Sequence, residues 1–266
     1  MARRPPDLDV FLCERCGYPL DAVRTEQACP ECGRSIASSL PSARTGSPWQ
    51  RAPSLGSWSV TGAKLLFTAG VFRSIRISRG SSAWLLRVNL LFSAVLVSLA
   101  VAERGIDALM LRRDASLAGV LGSVLIVTPV AYVLLWVLTA IERAGLRYFG
   151  NRRGGRLTPE IAAAATAHAS YGWVIAGVLA IIGAFLGHVI LSPWYRASVS
   201  GSILSALPPR RAFGLLGFFG GLVVFETLSF LGANRCRFAN LPTAESEATL
   251  DEHVSTTPNT TDSDRD

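Results

Sequence analysis

The chain has 266 residues, of which 50% are hydrophobic, and it has a formal net charge of +7 and a mean hydropathy of +0.35. The apolar residues are gathered into stretches of about 20, the length that crosses the hydrocarbon core of a bilayer. This composition excludes an ordinary soluble domain and predicts an integral, multi-pass membrane protein. The basic residues are 25 arginines and Lys64, mostly at the ends of apolar stretches. We therefore expect contact with anionic headgroups of the lipid bilayer and no nucleic-acid partner.

Residues 1–10 form a polar leader without the apolar core of a secretory signal, and residues 11–37 contain two Cys-x2-Cys pairs separated by twelve residues. The four cysteines are Cys13, Cys16, Cys29 and Cys32. Each pair is followed by a glycine, which permits the left-handed backbone that closes a metal-binding knuckle. Two such knuckles predict a small zinc ribbon with β-knuckles, in which four thiolates enclose one structural Zn²⁺ and leave no position for substrate. The alternatives are a redox dithiol pair and an iron site of rubredoxin type.

Residues 38–58 are rich in Ser, Pro and Gly, which predicts a flexible linker between the ribbon and a transmembrane domain at residues 59–240. Residues 60–78 mix apolar side chains with Lys64, Arg73 and Arg76. The uninterrupted apolar run is too short to span a bilayer, so we predict an interfacial helix on an anionic leaflet. A helix packed on the bundle is the alternative.

Four spans follow in an all-α bundle, at about 84–102, 117–141, 168–191 and 212–233. The second span contains Pro129, which predicts a kink. The third is predicted to end a longer helix that has Thr158 as N-cap and Pro159 at its first position. Residues 241–266 are polar and acidic, and lack the apolar surface needed to fold, so we expect a disordered tail.

Arginine positions predict the orientation of these spans. With the N-terminus in the cytoplasm, the inner segments hold eleven arginines and the outer loops hold six. The inner eleven are Arg73, Arg76, Arg79, Arg87, Arg143, Arg147, Arg152, Arg153, Arg156, Arg235 and Arg237, and the outer six are Arg104, Arg112, Arg113, Arg196, Arg210 and Arg211. The excess favours cytoplasmic N- and C-termini, and zinc-binding thiolates also favour a reducing cytosol. We expect a bacterial inner membrane.

Polar residues inside the predicted spans are candidates for function. Glu226, His168 and Asn89 are expected at similar depth, where a cluster would stabilise the bundle, relay protons or bind an ion. The alternative is that Glu226 snorkels or pairs with Arg87. G-x-x-x-G patterns at Gly183–Gly187 and Gly217–Gly221 allow close helix approach within the chain or in a homo-oligomer.

The segments Cys13-Glu-Arg-Cys-Gly-Tyr-Pro-Leu and Cys29-Pro-Glu-Cys-Gly-Arg resemble the N-terminal zinc ribbon of many bacterial membrane proteins. A ribbon, an amphipathic segment and several spans, in this order, are similar to bacterial members of the Yip (Ypt/Rab-interacting-protein-like) family. The resemblance implies a non-enzymatic membrane protein connected with membrane organisation or trafficking.

The functional expectation is therefore an interaction module whose ribbon docks a cytosolic protein partner or its own membrane domain. The alternative is a small ion-coupled transporter or permease that uses Glu226 and His168. A membrane-embedded enzyme is the third candidate, although the sequence has no Gly-x-Ser-x-Gly, P-loop or His-Glu-x-x-His motif.

Overall fold

The structure, a computed structural model, describes residues 10–20, 27–68, 70–77, 79–101, 117–189 and 209–242. Two short 3-10 turns at Ile36–Ser39 and Pro41–Ala43 precede eight α-helices in these ranges. The helices are α1 (Pro48–Arg51), α2 (Leu55–Phe67), α3 (Val71–Ser74), α4 (Arg79–Val101), α5 (Leu117–Arg152), α6 (Pro159–Ala169), α7 (Tyr171–Val189) and α8 (Pro209–Cys236). Positions 1–9 of the predicted leader and 243–266 of the predicted tail lie outside the described residues.

Four stretches of the described helices are long and apolar enough to cross a membrane, as the sequence predicted. They are Ser82–Val101, Leu121–Arg152, Pro159–Gly187 and Arg210–Cys236. The helix of the second span, α5, continues well past the predicted end of that span at 141, and it runs unbroken through Pro129. The extra turns include charged residues that extend the helix without being apolar, so a hydropathy pattern alone ends it too early.

The start of the third span is confirmed. Thr158 caps α6 by accepting a hydrogen bond from the Ile161 amide, and Pro159 occupies the first helical turn. The predicted single helix is nevertheless divided at Ser170 into α6 and α7. The Ser170 hydroxyl donates to the Ala167 carbonyl at 2.6 Å and accepts from the side chain of Asn89 on α4, so it belongs to a network across the bundle.

The centre of the bundle is the contact of α7 with α8, flanked by α4. The two helices approach so closely that a Cβ atom added to Gly217 or Gly221 would collide with α7. Trp173 of α7 is fully buried and stacks on Phe225 of α8, with ring centroids 4.3 Å apart. The small residues of the Gly217–Gly221 pattern therefore serve close packing within the chain.

Residues 38–78 are more closely packed than the sequence predicted. The expected flexible linker is instead packed, with Arg44, Ser47 and Trp49 buried. The expected interfacial helix is two helices, α2 and α3, and Phe72 of α3 is fully buried against Gly232 of α8. Phe72, Ile75 and Ile77 are buried, as the alternative of a helix packed on the bundle predicts. Leu66 and Phe67 of α2 are exposed, so the interfacial position of that helix stays a prediction.

Candidate metal centre and its docking contacts

The four cysteines of the N-terminal module converge on one point. Their sulfur atoms all lie within 4.8 Å of one another. The Cys13 and Cys32 sulfurs are 3.6 Å apart, as are those of Cys16 and Cys29. A disulfide requires about 2.05 Å, so these are free thiols, arranged to hold a single metal ion at their centre.

Two turns of the same shape bring the sulfurs together. In the first, the Gly17 amide donates to the Cys13 carbonyl at 2.8 Å, and in the second, the Gly33 amide donates to the Cys29 carbonyl at 2.8 Å. Gly17 has a φ of 79° and Gly33 a φ of 69°, which confirms the predicted left-handed conformation. Isolated antiparallel bridges, Leu12 with Pro19 and Ala28 with Ser35, flank the turns. Among the described residues these bridges do not extend into a β-sheet, so the β-knuckles of a ribbon are not shown.

The pKa values of the two thiols in the first turn are shifted in opposite directions. Burial opposes ionisation of Cys13, but donation from the Cys16 and Arg15 amides and from neighbouring thiols lowers the pKa of its thiol to about 7. Burial and the nearby thiols together raise the pKa of Cys16 to about 12, against donation from the Tyr18 amide. When thiols this close ionise, their negative charges repel one another. A bound metal cation removes this repulsion.

The module is docked on the bundle by Asn240, just beyond the end of α8. The Asn240 side chain accepts from the Leu12 amide at 3.0 Å and donates to the Leu12 and Ser39 carbonyls, each at 2.8 Å. Asn240 is 4% exposed, so these bonds are shielded from water. The Asn240 side chain thus pairs with the Leu12 backbone as a neighbouring β-strand would, so the amide and carbonyl of Leu12 are both hydrogen-bonded.

Arg156, in the loop between α5 and α6, supports the same contact. Its guanidinium donates to the Asn240 side chain at 2.7 Å, to the Ala239 carbonyl at 3.1 Å and to the Val10 carbonyl at 2.5 Å. One buried cation thus joins three segments that are far apart in the sequence. The ring of Phe238 also packs on Gly17, where a Cβ atom would lie 2.8 Å from it.

A buried ion pair forms the second docking point. The Arg44 guanidinium binds the Glu14 carboxylate through two hydrogen bonds of 2.9 and 3.1 Å, and the side chains are 3% and 8% exposed. Arg44 also donates to the Phe72 and Ile75 carbonyls. Burial disfavours the charged guanidinium, but Cys236 and Glu14 hold the pKa of Arg44 above its ordinary value. We name the contacts of Asn240, Arg156 and the Arg44–Glu14 pair the docking latch.

Among the described residues, no hydrogen bond joins Asn89, His168 and Glu226, the members of the predicted intramembrane cluster. Asn89 is fully buried, accepting from Trp58 Nε1 at 2.6 Å and donating to Ser170 Oγ at 2.8 Å. His168 is fully buried nearby on α6, with Nδ1 2.9 Å from the Ala164 carbonyl and Nε2 3.0 Å from Ser47 Oγ. Because a carbonyl only accepts, Nδ1 carries the proton and Nε2 accepts from Ser47. These two residues pin α2 and the start of α1 to the bundle.

Glu226 lies elsewhere, on an exposed face of α8. It interacts electrostatically with Glu142 of α5. Both line a cavity of about 350 Å³ between α5 and α8, which Arg153 and Arg237 also line. Among the described residues, Glu226 forms no ion pair with Arg87 and no hydrogen bond with His168.

Cys236, the fifth cysteine, is fully buried at the end of α8 and is separate from the four-cysteine group. Its thiol donates to the Phe72 carbonyl at 3.2 Å and contacts the Arg44 guanidinium. It therefore packs beside the docking latch.

Comparisons with protein-family models, with curated proteins and with solved structures find no match for this chain. The likeness to zinc ribbons and to the Yip family therefore remains an inference from the motifs quoted above. What the structure establishes is four helices able to span a membrane and a four-cysteine group able to hold a metal ion.

The docking latch was not predicted from the sequence. Arg156 counted only toward the orientation of the spans, while Asn240 and Arg44 belonged to no motif. Asn240 and Leu12 are 228 residues apart. A lone asparagine at the end of a predicted span is too common to signal such a contact.

Proposed function

We propose that this chain is a non-enzymatic integral membrane protein whose four cysteines bind one structural Zn²⁺. The observation that carries this proposal is the sulfur geometry. A tetrahedral zinc with Zn–S bonds of about 2.3 Å places its sulfurs about 3.8 Å apart, and the two closest pairs are 3.6 Å apart. Four thiolates fill the coordination shell, so zinc at this site supplies folding energy and no catalysis.

We propose that the zinc ribbon and the adjacent end of the bundle together form one surface. The docking latch joins the ribbon to α8 and to the segment around α3, so these parts present one continuous face. We propose that this face lies in the cytoplasm and binds a protein partner in membrane organisation. The four candidate spans of the described residues would put residues 10 and 240 on the same side of a membrane, and the contact of Asn240 with Leu12 supports that arrangement.

Metal analysis and crosslinking test the two parts of this proposal. The full chain, purified from native membranes, is expected to contain one zinc per polypeptide, and Cys13→Ser is expected to lose it. Crosslinking pull-downs should then show a partner set that changes in Cys13→Ser. The matched control is Cys236→Ser, which removes a buried thiol outside the metal site and should retain both zinc and partners. A metal-free wild type would contradict the metal site, and an unchanged partner set would contradict the interaction role.

The cavity of Glu142 and Glu226 favours a second candidate, an ion-coupled transporter. The structure supports Glu226 with Glu142 for this role rather than Glu226 with His168, because both ring nitrogens of His168 are already bonded. Ion flux into vesicles that contain the Glu226→Gln protein separates the candidates. Unchanged flux and growth would remove the transporter, whereas loss of a flux that the wild type shows would establish it in place of the interaction module.

A further inference from the structure

Four arginines from four separate segments gather around the docking latch. Arg15 follows Glu14 of the first knuckle, and Arg73 follows Phe72 of α3. Arg235 precedes Cys236 at the end of α8, and Arg34 lies in the second knuckle. We name Arg15, Arg34, Arg73 and Arg235 the arginine face.

The buried contacts of the latch explain why these arginines are neighbours. The carbonyl of Phe72 accepts from the Cys236 thiol at 3.2 Å, which brings the residues beside them, Arg73 and Arg235, together. Arg44 binds both this carbonyl and the Glu14 carboxylate, which brings in Arg15. The Glu14 amide donates to the Ser39 hydroxyl at 3.2 Å, and Arg34 donates to the adjacent Ser38, which brings in Arg34. Docking of the ribbon thus completes the arginine face.

The charges of the arginine face are not neutralised within the described part of the chain. Arg15, Arg73 and Arg235 are exposed, and Arg34 is partly exposed, with its Nε bonded to the neutral Ser38 hydroxyl at 2.7 Å. None of the four forms an ion pair with a described carboxylate. The charge of Arg235, then partial burial, then the charges of Arg34 and Arg15 hold the pKa of Arg73 below its ordinary value. A protein that concentrates like charges in this way gains free energy when an anion binds among them.

The position of the arginine face favours phospholipid as the source of that anion. Arg235 is the penultimate residue of the candidate span Arg210–Cys236, so it lies at the level of the headgroups. On α2, shortly before Arg73, Leu66 is 49% and Phe67 is 86% exposed. Apolar side chains that enter the acyl region beside arginines at phosphate level are typical of an anionic lipid surface.

We propose that the arginine face binds the phosphate of an anionic phospholipid headgroup, and that it does so only when the ribbon is docked. The inference rests on the proposed function, since the ribbon contributes Arg15 and Arg34. The zinc ribbon is then part of the lipid site. If the ribbon is lost, the arginine face loses two of its four charges.

The test titrates short-chain phosphatidylglycerol and phosphatidylcholine into detergent-solubilised full-length protein. Arg15→Gln combined with Arg34→Gln is expected to weaken phosphatidylglycerol binding about 30-fold, since each arginine near an anionic surface contributes roughly fivefold. The matched control is Arg147→Gln combined with Arg152→Gln, which removes the same charge from exposed positions on α5. The control should bind phosphatidylglycerol within about 3-fold of the wild type.

Three results would overturn the proposal. Equal weakening by both double variants would mean that net charge, and no particular site, attracts the lipid. Inorganic phosphate that competes at the lipid's own concentration would assign the site to a soluble phosphate. Polyglutamate that binds the arginine face while phosphatidylglycerol does not would assign it to an acidic protein.

Zinc measured in the same samples separates this proposal from the proposed function. Both double variants should keep one zinc per chain, because neither removes a thiolate or a latch residue. If the wild type lacks zinc yet binds phosphatidylglycerol through the four arginines, the metal assignment fails and the lipid site stands. If zinc is present and the ribbon variant still binds fully, the lipid site fails alone.

Discussion

Two interfaces hold this molecule together, and they are built from opposite kinds of residue. The α7–α8 contact uses glycine, alanine and stacked aromatic rings. The contact between the ribbon and the bundle uses a buried ion pair, an asparagine and an arginine. The first depends on shape and needs nothing outside the two helices. The second depends on the orientation of hydrogen-bonding groups, because its hydrogen bonds exist only while the folded ribbon holds its backbone in place.

This difference indicates which part of the molecule can respond to its surroundings. Close packing inside a bilayer is insensitive to metal, salt or pH at the surface. A polar contact to a metal-dependent module is lost when the module unfolds. We therefore expect the ribbon to detach without unfolding the bundle, whereas damage to α7–α8 should unfold both.

Metal removal gives the largest expected effect. Cys13→Ser, or chelation of the wild type, should release the zinc and unfold residues 11–37, because structural zinc supplies on the order of 10 kcal/mol to modules of this kind. Limited proteolysis should then cut within the ribbon while the spans stay intact. A ribbon that resists protease without metal would contradict the metal-dependent account.

Breaking the ion pair comes next. Arg44→Met leaves the Glu14 carboxylate buried without a partner, which typically costs about 3–5 kcal/mol. Chemical denaturation followed by a probe on the ribbon should report this loss, and the combined Glu14→Gln and Arg44→Met variant should recover part of it. If the single and double variants lose equally, the pair is not the source of the effect.

The helix interface offers a test of similar size with a close control. Gly221→Val should collide with the α7 backbone near Ala176 and lower the melting temperature of the whole bundle, at a cost of about 3 kcal/mol. Gly220→Ala is the control, because a Cβ atom there would have its nearest neighbour at 3.6 Å, an ordinary contact. Equal losses in the two variants would mean that glycine is not needed for close approach.

Asn240→Ala should have the smallest effect, about 2 kcal/mol, since it removes three neutral hydrogen bonds and one from the Arg156 guanidinium but leaves the metal site intact. Zinc content should stay at the wild-type value while the melting temperature of the ribbon falls. Loss of zinc in this variant would mean that docking and metal binding are one event.

Local features were predictable from the sequence, and long-range ones were not. The cysteine spacing, the left-handed glycines and the Thr158 cap each depend on a few neighbouring residues, and the structure confirms the glycine conformation and the cap. The four spans follow from hydropathy over about 20 residues.

The partners of single polar residues could not be predicted, because they depend on how helices are arranged. His168 bonds to Ser47, which is 121 positions away, instead of meeting Glu226. The packed conformation of residues 38–58 likewise depends on how distant segments are arranged. Its serines and prolines read as a flexible linker, yet Arg44 and Ser47 find buried partners on distant segments.

Hydrogen exchange at Leu12 tests the docking of the ribbon most directly. The Leu12 amide donates to the Asn240 side chain, while the Gly17 and Gly33 amides donate within the cysteine turns. Slow exchange is expected at all three amides in the zinc-bound wild type, and in Asn240→Ala a large acceleration is expected at Leu12 with Gly17 and Gly33 unchanged. Fast exchange at Leu12 in the zinc-bound wild type would contradict this docking, because the ribbon would then be folded but undocked.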